Sequence, residues 1–344
     1  MAGVERRCPG EQFSISVTIC RARQKRYYPQ CKVCEYSDTK MSATISQRQS
    51  LIRPDIFKGY DIRGLYPEEV NEDAAKRIGS AIVHFLKQQK GTIKNIVVGR
   101  DMRDSSTPLA QALIEGITSA GVNVTDIGVV STDVTYFAVA KYGYDGSVAV
   151  TASHNPAEYN GFKVCREHAM PVGLETGLAK IRDIAMRPPL ATAERPGRVT
   201  KKDIMKEYKE HVHSFIRQIR AMRIVVDAGN GMAGKMVPII FKGLPIEIIP
   251  LYFELDGSFP NHEANPLKLE NLRHLQELVR EEKAQLGVAF DGDADRVAFV
   301  DEKGEAIGSD IITALIAREF LGEDKGATVV YDLRSSWAVK EEIV

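Results

Sequence analysis

From Pro54 onward, short apolar runs of β type alternate with longer stretches whose apolar residues fall at helical spacing. This alternation restricts the chain to layered α/β architecture. Ile96-Val97-Val98-Gly99 predicts a buried strand, and residues 106–120, with Leu109, Leu113 and Ile117 on one face, predict a helix ending before Gly121. Strand 122–130, helix 132–142 and strand 146–151 follow, the last running straight into Ser153. After a boundary at Pro188-Pro189 and residues 193–197 the cycle restarts. It predicts helix 203–219, strand 223–227, a Gly-Asn-Gly turn, strand 246–251, amphipathic helix 267–282 and strand 286–290. A third unit is expected to open at 297–301 and to carry helix 311–320 and strand 328–331. The expected fold is therefore tandem α/β domains with mixed, largely parallel sheets, the third domain incomplete. An open third unit exposes an apolar face and a sheet edge, so the chain reads as a fragment.

A length of 344 residues suits two or three domains. Lys and Arg (46) balance Asp and Glu (46), so no field of one sign marks a nucleic-acid or membrane-surface binder. No apolar run reaches the roughly 18 residues of a bilayer span. The apolar stretch near Phe13 is broken by Ser and Thr and lacks a secretory pattern, so the expected location is cytoplasmic. Cys8, Cys20, Cys31 and Cys34 crowd the first 34 residues, while Cys165 stands alone in the body. Residues 1–45 thus read as a separate Cys-rich segment. Cys31-x-x-Cys34 is a metal half-site that Cys8 and Cys20 can complete for Zn²⁺, with reduced thiols on an arm as the alternative.

Three groups of residues carry chemistry. Thr151-Ala152-Ser153-His154-Asn155-Pro156 lies at the end of a strand, where open α/β sheets gather ligands. Its alternatives are a hydroxyl needing activation, with His154 adjacent, or a turn in which Ser and Asn bond the backbone. No Gly-x-Ser-x-Gly elbow is present, which argues against a serine hydrolase. Asp291-Gly292-Asp293-Ala294-Asp295-Arg296 sits between two strands. Like charges about 4 Å apart repel by roughly 4 kcal/mol at an effective dielectric near 20. Three carboxylates therefore call for raised pKa values or a hard cation such as Mg²⁺. A calcium loop of the EF-hand kind fails, because Arg296 occupies its glycine position and the flanks are strands. The third group is basic: Arg63 in Tyr60-Asp61-Ile62-Arg63-Gly64, Arg100 and Arg103 in Arg100-Asp101-Met102-Arg103, and Lys163. Guanidinium forks match phosphate oxygens and an ammonium supplies a mobile point charge.

Together these pieces resemble the α-D-phosphohexomutase family, in its phosphomannomutase/phosphoglucomutase branch. The motifs are Phe57-Lys58-Gly59-Tyr60-Asp61-Ile62-Arg63-Gly64, Thr151 to Pro156 with Tyr159-Asn160-Gly161-Phe162-Lys163, and the Asp291 to Arg296 loop. Gly229-Asn230-Gly231 and the segment from Pro260-Asn261-His262 to Asn265-Pro266 also look like family segments. The resemblance covers residues 53–344. It implies domain I over 53–198, domain II over 199–304, part of domain III over 305–344, and no domain IV. It implies a phosphoserine at Ser153 and Mg²⁺ held by Asp291, Asp293, Asp295 and a phosphoserine oxygen. Arg63, Lys163 and His154 would serve the transfer, and Tyr60, Arg103, Arg296 and Arg334 would bind substrate or phosphate. The implied reaction interconverts hexose 1-phosphate and hexose 6-phosphate through a hexose 1,6-bisphosphate, which also acts as activator. The family's Gly-Glu-x-x-Gly-His sugar loop and its phosphate-gripping Arg/Ser/Thr loop do not appear in this sequence. A non-catalytic binding or assembly module of the same fold, or a phosphatase using the Asp cluster, is the competing expectation.

Overall fold

The computed structural model describes residues 5–7, 14–16, 52–188 and 191–343. Residues 1–51 and 52–344 form two compact units. In the first, β1 (Glu5–Arg7) pairs antiparallel with β2 (Ser14–Ser16). Cys8, Cys20, Cys31 and Cys34, and with them the zinc reading, lie outside the described residues.

The second unit contains two sheets. The first has the order β3-β7-β6-β4-β5-β8, built from β3 (Ile62–Leu65), β4 (Asn95–Arg100), β5 (Asn123–Val129), β6 (Gly146–Val150), β7 (Tyr159–Arg166) and β8 (Val199–Lys201). The pairs β6/β4, β4/β5 and β5/β8 are parallel, while β3/β7 and β7/β6 are antiparallel. Strand β6 is buried along its whole length, as its apolar run requires of a strand covered on both faces.

Helix α1 (Glu72–Lys90) starts at Asn71, whose side chain accepts from the Ala74 amide at 3.0 Å. It crosses α2 (Ser106–Ser119) through two glycines. A Cβ on Gly79 would stand 2.3 Å from the Leu113 carbonyl oxygen, and one on Gly116 would stand 1.9 Å from that of Lys76. With α4 (Ala179–Ala185) these helices close a core around Ile78, Phe85, Ile96, Leu113, Phe162 and Ile181. On the opposite face, α3 (Thr132–Tyr142) and α5 (Met205–His213) share a cluster with Met236 and Ile240 of α6 (Ala233–Phe241), a helix of the second sheet. Fully burying such a side chain is worth about 1.5–3 kcal/mol, so this apolar seam holds the two layers in register.

The second sheet has the order β10-β9-β11-β12-β13. Its strands are β9 (Met222–Asp227), β10 (Ile246–Leu251), β11 (Leu286–Phe290), β12 (Val297–Val300) and β13 (Ala306–Ile307). Helix α7 (Arg273–Glu281) buries Leu275 and Val279, and a Cβ on Gly287 would meet Val279 at 2.7 Å. Strands β11 and β12 form an antiparallel hairpin with Phe290 opposite Val297. Residues 297–300 therefore complete the second sheet and do not open a third unit. Helices α8 (Ser309–Glu323) and α9 (Trp337–Ile343) follow. Residues 328–331 form no strand: no ladder partner lies beside them, and Val330 is exposed. Among the described residues no helix is long and apolar enough to cross a membrane.

Candidate active site

Strand β6 delivers the chain to a tight loop. Ser153 sits there with φ 53°, in the left-handed region that a residue with a side chain seldom occupies. Its amide donates to Thr151 Oγ1 at 2.9 Å, and the Asn155 side chain donates to the Ala152 carbonyl at 2.8 Å. The turn reading of this hexapeptide holds for Asn155, whose side chain bonds the backbone, and not for the Ser153 side chain. The Ser153 hydroxyl is free of the turn. It donates to Asp291 Oδ2 at 2.7 Å, across 138 residues of sequence.

The acidic loop is the turn of the β11–β12 hairpin. Asp291 Oδ1 accepts the amides of Asp295 and Arg296, each at 3.0 Å, which folds the loop back on its own first residue. Two glycines let it approach its neighbours. A Cβ on Gly292 would lie 2.5 Å from the Ser153 carbonyl oxygen, and one on Gly231 would lie 2.7 Å from the carbonyl of Gly292. The Gly-Asn-Gly turn is therefore a seat for the acidic loop, reinforced by the Met232 amide donating to Gly292 O at 2.9 Å.

Asp291 and Asp293 are buried and Asp295 is the outermost of the three. One oxygen from each lies within 4.8 Å of the others. Burial, then the charges of Asp293 and Asp295, push the Asp291 carboxyl up to about 7. Asp295 is raised by burial and by Asp293. Burial also works against an ionised Asp293, but Lys163 and Thr132 outweigh it and hold that carboxyl low. Lys163 Nζ donates to Asp293 Oδ2 at 2.7 Å and also bonds Asp295. Arg296 donates through Nε to Asp291 Oδ2 at 3.0 Å. Two cations thus face three carboxylates, and the buried Asp293 Oδ1 has no hydrogen-bond partner. An all-oxygen set with surplus negative charge and an unpartnered buried oxygen fits a hard cation.

The other expected residues divide. Arg296 Nη2 donates to Ser153 Oγ at 2.9 Å and also contacts His154 Nδ1. Burial, then the charges of Arg296 and Arg63, push His154 down to about 4, so its imidazole is neutral at pH 7. Arg63 projects from β3, 3.9 Å from Asp61, and Tyr60 is 90 % exposed. Arg334 is exposed and forks onto Asp332 of its own loop at 2.8 and 3.1 Å.

Arg103 departs from expectation. Its side chain is buried, with Nε on Asp101 Oδ2 at 3.2 Å. Nη1 donates to the carbonyls of Pro156 (2.7 Å) and Tyr159 (3.1 Å), and Nη2 to those of Ser153 (2.9 Å) and Asn155 (2.6 Å). A guanidinium has five N–H donors. All five are engaged inside the protein, which leaves Arg103 nothing to offer a substrate phosphate.

One contact has no counterpart in the sequence reading. Thr132, at the start of α3, donates its hydroxyl to Asp293 Oδ2 at 2.5 Å and its amide to Asp293 O at 3.2 Å. A threonine at a helix start signals a cap; its partner 161 residues away is supplied by the packing of the two layers.

Family models for phosphoglucomutase/phosphomannomutase α/β/α domain I and domain II match residues 54–188 and 205–304. A phosphomannomutase of Vibrio cholerae serotype O1 is 41 % identical over 288 residues, which covers 82 % of this chain and 62 % of that protein. A phosphomannomutase of Escherichia coli K12 is 42 % identical over 291 residues, with the same coverage. Among solved structures, a phosphoglucomutase/phosphomannomutase family protein from Burkholderia thailandensis superposes with a TM-score of 0.78 at 35 % identity, covering 85 % of this chain and 65 % of that one. The chain thus spans a little under two thirds of the length of these relatives.

Proposed function

This chain belongs to the phosphoglucomutase/phosphomannomutase family, and from that premise we propose that it is a phosphohexomutase whose Ser153 carries the phosphoryl group between hexose 1-phosphate and hexose 6-phosphate. The observation that carries the reading is the Ser153 Oγ to Asp291 Oδ2 contact at 2.7 Å, made inside a cluster of three carboxylates. Asp291, Asp293 and Asp295 would hold Mg²⁺, whose oxygen preference matches theirs. When bound, the ion neutralises the carboxylates and draws charge from a phosphoryl group on Ser153.

The chain's own side chains supply the rest. On transfer, a bond forms between a sugar hydroxyl oxygen and phosphorus while the Ser153 Oγ–P bond breaks, and charge builds on Oγ as it leaves. Arg296 Nη2, 2.9 Å from Oγ, stabilises that charge. The sugar hydroxyl's proton ends on Oγ, which regains the hydroxyl that faces Asp291 Oδ2, and return of a phosphoryl group from hexose 1,6-bisphosphate reverses the exchange, the proton passing from Oγ to the departing sugar oxygen. Neutral His154, with Nδ1 taken by Arg296, keeps its Nε2–H as a donor for a sugar or phosphate oxygen. Lys163, bonded to Asp293 and Asp295, and Arg63, whose charge reaches His154, supply positive charge on this side of the site.

The half-reaction is the direct test. The protein is incubated with Mg²⁺ and glucose 1,6-bisphosphate, then examined by intact mass and peptide mapping. One phosphoryl group on Ser153, absent from Ser153→Ala, is the expected result. No uptake, or uptake mapped elsewhere, overturns the reading, and steady release of inorganic phosphate instead identifies a phosphatase. At the N-terminus, Zn²⁺ bound by Cys8, Cys20, Cys31 and Cys34 is a second proposal, supported by the Cys31-x-x-Cys34 half-site.

A further inference from the structure

We propose that Arg103 is a positioning residue for Ser153: it gathers the carbonyls of the serine loop onto one guanidinium and so holds Ser153 in the conformation that aims its hydroxyl at the acidic loop. The proposal rests on the phosphoserine reading for its catalytic consequence, but the positioning itself stands on separate geometry.

The loop from Ala152 to Glu158 follows neither helix nor strand, so its carbonyls, and that of Tyr159 where β7 begins, find donors outside a regular ladder. Arg103 serves four of them, those of Ser153, Asn155, Pro156 and Tyr159, at 2.6 to 3.1 Å. One of these carbonyls, that of Ser153 itself, belongs to a peptide unit adjoining the Cα where the chain turns to φ 53°. A left-handed serine is strained and persists only where its surroundings over-determine it. The Ser153 carbonyl is held by Nη2 on one side and lies against Gly292 on the other.

The guanidinium is itself held rigidly. Asp101 neutralises it through Nε, and the second Asp101 oxygen accepts the Arg103 amide at 3.1 Å and the Ser106 hydroxyl. Asn160 Nδ2 donates to the hydroxyls of Ser105 and Ser106 at 2.7 and 2.9 Å, which ties this network to the first residues of β7. A second layer of control comes from the other sheet. The Phe259 ring lies 4.9 Å from the Arg103 guanidinium carbon, and a Cβ on Gly257 would be 2.7 Å from Arg103 Cα. Phe259 also borders Gly292 of the acidic loop. One side chain therefore touches both the grip on the serine and the loop the serine faces.

The test uses the full chain. Arg103→Lys keeps a positive charge beside Asp101 but offers three donors in place of five. The first readout is amide hydrogen exchange without sugar, at the amides of Ser153, Asn155 and Tyr159, each of which bonds within the loop. The second is the rate of phosphoryl uptake at Ser153 from glucose 1,6-bisphosphate. Arg103→Lys should speed exchange at those three amides at least about tenfold, leave β6 protected, and slow uptake at saturating bisphosphate by about tenfold or more, with half-saturation within about twofold. Phe259→Leu should act in the same direction less strongly, and Phe259→Tyr should restore wild-type behaviour. Wild-type exchange in a folded Arg103→Lys, or a loss confined to half-saturation, overturns the proposal. Should Arg103→Lys not fold, unchanged exchange and uptake in Phe259→Leu overturn it instead. Absence of uptake in the wild type would refute the phosphoserine reading alone, and the exchange data would still decide the positioning.

Discussion

Thr132 grips Asp293 twice, through its hydroxyl on Oδ2 at 2.5 Å and its amide on the carbonyl at 3.2 Å, and so ties the first helix-and-sheet layer to the middle carboxylate of the second. Hydrogen bonds to charged groups contribute about 1.5–3 kcal/mol. Thr132→Val keeps the shape and removes the hydroxyl. Denaturant unfolding of this variant should show a loss of about 2 kcal/mol, and an unchanged midpoint and slope would show that the contact contributes nothing.

Gly292 sets how near the serine and acidic loops come. An added Cβ would stand 2.5 Å from the Ser153 carbonyl oxygen, a backbone atom that cannot rotate away. Gly292→Ala must part the loops. Phosphoryl uptake by Ser153 should fall by about 100-fold, the usual order for a misplacement near 1 Å. A folded Gly292→Ala protein with wild-type uptake would show that the loops do not need this approach.

The carboxylate cluster should respond to Mg²⁺ through stability as well as activity. A ligand at a hundred times its Kd adds about 2.7 kcal/mol to the folded state. Melting curves should move upward as Mg²⁺ is added and return on chelation. Asp293→Asn, which removes the buried charge at the centre of the set, should abolish the shift. A melting point indifferent to Mg²⁺ in the wild type argues that the three carboxylates bind no such ion.

His262 gives stability a pH dependence away from the acidic loop. Its Nε2 faces Asp227 Oδ2 at 3.0 Å and its Nδ1 faces the Glu263 carbonyl at 2.9 Å, so both nitrogens meet acceptors. Burial opposes charge on the ring, but the hydrogen bond and charge of Asp227 outweigh it and raise the folded pKa above 6.5. The folded state then binds this proton more tightly than the unfolded state. The contribution is fully present below pH 6.5 and is lost as pH rises through the raised folded value. The stability difference between wild type and His262→Gln should shrink over that alkaline-going range. A difference that stays flat across it would show that the folded and unfolded states bind this proton equally and that Asp227 does not raise the ring's pKa.

For the N-terminal cysteines the measurement is elemental. Purified protein should carry one zinc per chain, and Cys31→Ser with Cys34→Ser should remove it. A metal-free wild type, prepared without chelators, would rule the site out.

Legibility in the sequence followed local chemistry. Strand β11 matches its apolar run residue for residue, because a strand inside a sheet needs a continuous run, while β10 keeps its expected bounds as an edge strand that tolerates Glu247 and Pro250. Strand β7 contains Asn160, Gly161, Lys163 and Arg166 and has no such run; it is a strand because the turn after β6 returns it alongside, placing Lys163 opposite Ala149. Helix α1 is not among the expected elements, although its Asn71 cap and its Ile78, Ile82 and Phe85 spacing carry the signal. The acidic triplet was readable because its charges are adjacent in sequence. The role of Arg103 was not: a basic residue in an Asp-Met-Arg loop looks like a phosphate ligand until the four carbonyls around it are known.

The acidic loop is a hairpin turn locked by its own two strands, whereas Ser153 arrives from a different sheet. The two partners thus meet across the seam between the layers, where Ser153 bonds Asp291 and Thr132 bonds Asp293. If the layers slide, the three carboxylates travel as a block with their mutual spacing preserved, and what is rewritten is the block's distance from the groups the other sheet presents to it: the Ser153 hydroxyl, Thr132 and Lys163. Nucleophile alignment in such a molecule is a single mechanical coordinate, which a small shift along the seam can tune without dismantling the cation cage.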